Sequence, residues 1–185
     1  SVADQRWFYR TLDEWNAIAE RLKQTPCPHC KSVGMLIQHG HLYGFDDSSP
    51  QRKTLRARRI FCSNRNRRRG CGRTFSVWAA DKIRRLSLTT RTLWKFLQRA
   101  VADSIAAAIR AAGCHLSDRT LQRIWKRFDR GQSKIRTTLF GHNRPPPELS
   151  SLRPAAQVLA HLQAAFPNAD CPIAEFQLTF RTFFL

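Results

Sequence analysis

Acidic side chains are what this chain has least of. Its 185 residues hold 13 Asp and Glu against 32 Lys and Arg, a formal net charge of +19 with an isoelectric point near 11.2. After residue 130 the only carboxylates are Glu148, Asp170 and Glu175, and no nucleophile, carboxylate pair or open metal site of an enzyme can be assembled from the sequence. Tyrosine is nearly as rare: Tyr9 and Tyr43 both lie in the first quarter of the chain. No apolar run approaches the roughly 20 residues that span a bilayer. Ser1-Val-Ala-Asp4 lacks the basic and apolar regions of a secretory signal. Among six cysteines, Cys114 and Cys171 stand alone in apolar surroundings, which suits a reducing compartment and not a disulfide framework. The expectation is a cytoplasmic, nucleoid-associated, non-enzymatic protein with no membrane partner.

What is present points to a polyanion. Residues 52–99 hold 16 of the 32 Lys and Arg, with Asp81 as their one acidic neighbour, whereas the preceding segment is close to neutral. A field concentrated in this way is a docking surface, and nucleic acid is the commonest partner for it. The hydrophobic content of 42% is enough for one ordinary core or two small ones.

Two pairs of cysteines bracket the centre of this region. Cys27-Pro-His-Cys30 has the spacing that sets two thiolates about one metal without strain. Cys62 and Cys71 are separated by eight residues, so Ser63 to Gly70 must loop out if both bind one ion. With four thiolate ligands the expected cofactor is a structural Zn²⁺, with no open position for substrate. Arg65, Arg67, Arg68 and Arg69 ride on that loop and Arg73 comes just after it, a set suited to gripping phosphates. His29, His39 and His41 are nearby substitutes as ligands. Strands are expected at 33–39 and 54–61, joined by a long turn containing Gly40, Gly44 and Asp46-Asp47-Ser48-Ser49-Pro50.

Helices flank this unit. Thr11-Leu-Asp-Glu14 reads as a capping box for a helix carrying Trp15, Ile18, Ala19 and Leu22, and Trp7-Phe8-Tyr9 reads as its packing partner or as a base-stacking cluster. Leu93, Phe96, Leu97 and Ala100 form a stripe at i, i+3, i+4, i+7. The same spacing recurs at Ile105, Ala108, Ile109 and Ala112, and at Leu121, Ile124, Trp125 and Phe128. A short Gly113 to Ser117 link joins the last two, as in a helix-turn-helix. Its third helix would present Arg119, Gln122, Arg123, Lys126 and Arg127 to the major groove, while Arg91, Lys95 and Arg99 line the first for the backbone. Arg144-Pro-Pro-Pro147 reads as a stiff spacer, with a helix after it from Pro154 to Phe166. The aromatic tail from Ile173 to Leu185 fits either a helix or a strand. It either folds back on the helices or docks on a partner, a recombinase or a second copy.

The fold class expected is α+β. An N-terminal helix (1–25) precedes a small zinc ribbon (26–80), a helix-turn-helix domain (81–143), a Pro-rich linker (144–150) and a helical interaction segment (151–185).

Cys27-Pro-His-Cys30, Arg58-Arg59-Ile60-Phe61-Cys62 and Gly70-Cys71-Gly72-Arg73-Thr74-Phe75, with a basic helix-turn-helix directly after them, together resemble the amino-terminal DNA-binding part of insertion-sequence transposases and their accessory proteins. The resemblance covers about residues 26–136 and implies binding of double-stranded DNA at element ends or operators. Transposases of this type continue into a catalytic domain with three spaced carboxylates, and the roughly fifty residues after 130, with Glu148, Asp170 and Glu175, are too little chain for that fold. The role expected from the resemblance is therefore an accessory or regulatory one in transposition or recombination. An RNA-binding ribbon is the alternative.

Overall fold

The computed structural model describes residues 7–47, 49–66, 69–147 and 153–185, with backbone alone at 49 and 50. Arg67 and Arg68, the chain start, Glu148 and parts of the expected spacer and final segment therefore lie outside the described residues. The elements are β1 (Trp7–Tyr9), α1 (Leu12–Glu20), a single 3₁₀ turn (Arg21–Lys23), β2 (Leu36–Asp46), β3 (Ser49–Cys62) and β4 (Thr74–Ala79). Beyond them lie α2 (Thr90–Ala102), α3 (Ile105–Ala111), α4 (Asp118–Phe140), α5 (Pro154–Ala165) and α6 (Pro172–Phe180). The class is α+β, and among the described residues no helix is long and apolar enough to cross a membrane.

Trp7-Phe8-Tyr9 is a strand, not a stacking platform. It runs parallel to β4 at the edge of a four-stranded sheet ordered β1-β4-β3-β2, whose other neighbours are antiparallel. Because side chains alternate along a strand, Tyr9, Ile60 and Val77 face Trp15 and Leu22 of the N-terminal helical turns, while Phe8, Ala57 and Trp78 face the other way. The Glu14 amide donates to Thr11 Oγ1 at 3.2 Å, and the Glu14 carboxylate reaches back to the Arg10 amide at 2.6 Å. This is one residue beyond an ordinary capping box.

The expected long turn after residue 39 is corrected: Gly40 and Gly44 lie inside β2, which pairs with β3 as far as Asp46 opposite Ser49. Glycine makes this possible by absorbing irregularity instead of ending the strand. Gly40 takes φ 148°, and the register slips between Gln38 and Gly40, Leu42 and Tyr43, and Gly44 and Asp46, as bulges do. At Gly44 a Cβ would fall 2.6 Å from Cδ of Arg56, so its absence makes room for that side chain.

Helices form where the three stripes lie, and each begins on a hydroxyl cap: Thr89, Ser104 and Ser117. Gly113, at φ 56°, supplies the left-handed residue that ends α3. The apolar stripe of α4 continues beyond Phe128 through Ile135 and Leu139, so the helix reaches Phe140. All five helices from α2 to α6 share one core, centred on Leu93, Leu97, Leu121, Phe128, Leu162 and Phe176.

The tail is a helix, and it is packed. Ile173, Phe176 and Phe184 are almost inaccessible, and Phe183 meets Phe8 and Trp78 edge-on at 5.2 and 5.1 Å. Gln177, fully buried, donates to the carbonyls of Ala80 and Lys82 at 2.8 and 3.0 Å and accepts from the Phe184 amide at 3.3 Å. Helical core and sheet are thereby joined. His142 lies between Phe166 and Phe180 with ring centroids 5.6 and 5.5 Å away.

The tip of the β2–β3 hairpin makes the second joint. Asp46, fully buried, pairs with Lys82 at 2.8 Å, and Lys82 also reaches Asp81 at 2.8 Å. Burial pulls the Lys82 pKa down, but the hydrogen bonds and charges of the two carboxylates more than offset this and leave it above the usual lysine value. Asp47 accepts from the amide and hydroxyl of Thr89 and from the Thr92 hydroxyl, reinforcing the start of α2. Arg56 spans the gap beneath, donating to Phe45 O at 2.9 Å and to both Ile83 O and Leu86 O at 2.6 Å. Burial lowers its pKa against the raising influence of Asp46, Asp81 and Asp47.

Candidate metal centre and basic surface

Two loops bring the cysteines together. In the first, the Cys27 amide donates to Ser32 O and the Lys31 amide to Cys27 O at 3.0 and 2.9 Å, with Lys31 and Gly34 in the left-handed region at φ 65° and 82°. In the second, the Cys62 amide pairs with Arg73 O and the Gly72 amide with Cys62 O, at 2.9 and 3.0 Å. The eight intervening residues do not spoil this knuckle, because the loop is pinched shut at its base: the Gly70 amide donates to Ser63 O at 3.2 Å.

The result is a compact thiol cluster. The four Sγ atoms of Cys27, Cys30, Cys62 and Cys71 lie within 4.8 Å of one another, with Cys27 to Cys71 at 3.9 Å and Cys30 to Cys62 at 3.7 Å. A tetrahedron with metal–sulfur bonds of about 2.3 Å has edges of about 3.8 Å, so a metal ion such as zinc fits. Backbone amides stabilise the sulfurs in turn: His29 N donates to Cys27 Sγ and Cys71 N to Cys62 Sγ, at 3.4 and 3.3 Å. The ring of His29 packs against Phe75 instead, with centroids 6.4 Å apart, and His39 and His41 lie along β2 against Phe61 and Tyr43.

The environment splits the thiols. Hydrogen bonds from the side chain and backbone of Ser32 draw exposed Cys30 down to about 6, whereas burial pushes Cys62 up to about 12 and Cys27 also upward. Metal binding must displace the proton from Cys62, so affinity should rise with pH.

Gly70 is fixed by geometry. A Cβ there would stand 2.2 Å from Ser63 O, which is backbone and cannot swing aside. Gly70→Ala is expected to force the pinch open, lowering stability by about 1–3 kcal/mol and weakening metal binding at least tenfold in competition with a chromophoric chelator. Unchanged affinity would show that the pinch does not position Cys71.

The basic residues divide among several surfaces. Arg65 lies over the Phe61 ring at 5.5 Å, and Arg69, whose carbonyl accepts from the Ser32 hydroxyl, is exposed on the same loop; Arg73 is exposed just beyond it. On α2, Arg91, Lys95 and Arg99 are exposed, but Arg91 is 4.0 Å from Asp170 and Arg99 pairs with Asp103 at 2.5 Å. On α4, Arg119, Gln122, Arg123 and Lys126 are exposed while Arg127 is half-buried. Arg119, Arg123 and Lys126 recur at i, i+4, i+7, opposite the buried stripe of Leu121, Ile124 and Phe128.

Sequence reasoning missed two sets of arginines. Arg56 and Arg58 are structural, the latter lying 4.8 Å above the Trp15 ring; only Gly44, whose missing Cβ leaves room for Arg56, hinted at this. Arg84, Arg85, Arg130 and Lys134 meet Arg127 around one cleft, although 42 residues and more separate the two groups in the chain. No family model, curated protein or solved structure matches this chain.

Proposed function

We propose that the chain is a zinc-stabilised protein that binds double-stranded DNA through α4, with α3 and α4 acting as a helix-turn-helix beside a zinc ribbon. The observation that carries the reading is the basic, exposed face of α4 at Arg119, Arg123 and Lys126, beginning directly at a capped N-terminus. Side chains of these types at the start of a major-groove helix reach base edges and phosphates. Arg69 and Arg73 beside the thiol cluster and Lys95 on α2 are further exposed cations that would serve the phosphate backbone. On the sequence resemblance, the role is that of an accessory or regulatory factor of a mobile element, positioning a recombinase at element ends or repressing transcription.

Duplex affinity should fall steeply with salt, with a log–log slope of roughly −5 to −9 for six to ten phosphate contacts. Arg123→Ala should reduce the preference for a selected site over random duplex about tenfold or more, since a bidentate base contact is worth about 1–3 kcal/mol. Anisotropy titrations at several salt concentrations test both, and preference unaffected by Arg123→Ala would remove α4 from the reading of sequence.

One observation favours RNA as a second reading. On β2, Leu42, Tyr43 and Phe45 are exposed, with Lys53 5.9 Å from the Phe45 ring, the pairing of aromatic faces and cations that holds unstacked bases. Structured or single-stranded RNA that outcompetes duplex at equal salt would decide for it.

A further inference from the structure

The surface holds a second cationic feature, further along the same side of α4 as the proposed reading face. Arg84 and Arg85, in the segment between β4 and α2, converge with Arg127, Arg130 and Lys134 of α4 on a cleft of about 650 Å³. Among the described residues that line it, none is Asp or Glu. Its floor is apolar and firm, made by Phe176 and Phe184 of the packed tail, which are 2% and 4% exposed.

The cleft is built, not incidental. Arg85 holds φ 63°, a conformation that residues with a Cβ avoid unless their surroundings impose it. Those surroundings are visible. Buried Arg56 grips the carbonyls of Ile83 and Leu86 on either side of Arg84 and Arg85, and the Leu86 amide closes a turn onto Ile83 O at 3.2 Å. Arg127, Arg130 and Lys134 are spaced i, i+3, i+7 on one long helix, so their stems rise from a fixed surface. Arg85, Arg127, Arg130 and Lys134, assembled on a rigid frame, repel one another in the free protein. A bound anion relieves that repulsion, and arginine forks match phosphate oxygens in particular.

We propose that this cleft is a phosphate-binding site, suited to consecutive phosphates of a nucleic-acid backbone or to a free polyphosphate. On the duplex-binding reading above, on which the choice of the backbone rests, the occupant is the strand that continues along α4. From Arg119 to Lys134 the helix advances about 22 Å, so one strand running from the reading residues to the cleft would be held well past the bases that the helix start can touch.

The test compares the zinc-loaded 185-residue chain with an Arg85→Gln, Arg130→Gln, Lys134→Gln variant, leaving Arg127 and the residues assigned to base reading intact. Two readouts are taken: the salt dependence of random-duplex affinity, and the thermal shift produced by inorganic tripolyphosphate. The expected result is a log–log slope shallower by about 2–3 in the variant, with the stabilisation by tripolyphosphate seen in the wild type lost. If neither protein binds duplex but tripolyphosphate stabilises only the wild type, the duplex reading fails and the cleft stands as a polyphosphate site. Loss of the tripolyphosphate shift with an unchanged slope likewise supports a free polyphosphate as occupant. A shallower slope without a tripolyphosphate response supports the backbone alone. Equal slopes with equal or absent tripolyphosphate shifts overturn the cleft, and duplex binding by both proteins would leave the duplex reading untouched. Should the triple variant unfold, Lys134→Gln at its exposed position gives the same comparison, with a slope change of about 0.9.

Discussion

Cys62→Ser is expected to abolish stoichiometric metal binding and to lower the melting temperature by on the order of 10 °C. Cys62 is completely buried, closes the cluster against Cys30 at 3.7 Å, and ends the strand whose Ile60 and Cys62 lie in the core beneath the sheet. Serine offers a harder, poorer ligand in the same place, and three thiolates leave the ion open to water. Zinc binding supplies about 10–16 kcal/mol in small zinc domains. Much of the free energy that holds Cys27 to Cys30 against the end of β3 would therefore vanish. Metal content by elemental analysis and melting by circular dichroism check the outcome; hydrogen exchange should show the amides of 36–40 and 60–63 opening first. A variant that keeps one equivalent of metal and the wild-type melting temperature would mean that another side chain completes the site. Loss of metal with no loss of stability would mean that the sheet stands without it.

Arg56→Leu should be comparably damaging, although the residue is far from the cysteines. Its guanidinium satisfies three backbone carbonyls, Phe45 O, Ile83 O and Leu86 O, and its charge faces Asp46, Asp47 and Asp81. Leucine fills part of the volume but strands those acceptors and leaves the acidic tip with Lys82 alone. Removing one partner from a buried charged network destabilises by about 3–5 kcal/mol, or roughly 6–20 °C at this chain length. Arg56→Lys, which keeps the charge and loses the fork, should fall between the two. Urea and thermal denaturation give the numbers. A loss under about 1 kcal/mol would show that the hairpin tip and the segment before α2 are held by something other than this side chain.

These two sites differ in how far the sequence reveals them. The cysteines were legible because metal ligation fixes residue type and spacing, and an insertion between Cys62 and Cys71 can loop out without moving either. The start of α1 was legible for a similar local reason: Thr11 accepts from the Glu14 amide within its own first turn. Arg56 was not. In an alternation of apolar and basic residues nothing local separates a buried arginine from solvated Arg59, and what buries it is a segment about 30 residues later. Asp46 and Asp47 had the composition of a turn and do stand at one, yet their work is to hold Lys82 and the start of α2. Gly131 and Gln132 interrupt the apolar stripe of α4, so the helix reads shorter than it is; Gln132 is buried and donates to Asp129 at 2.8 Å. The cleft arises from tertiary placement alone.

The bulges of β2 carry one more consequence. This strand forms a sheet edge and exposes Leu42, Tyr43 and Phe45, which in a flat ribbon would invite another chain to add on and start an aggregate. Three slips of register within eleven residues break the even ladder that such growth requires. Neighbouring Arg52, Lys53 and Arg59 add like charge to any second copy that approaches. The glycines that hide the strand from a reader of the sequence also hide it from other molecules of the same protein.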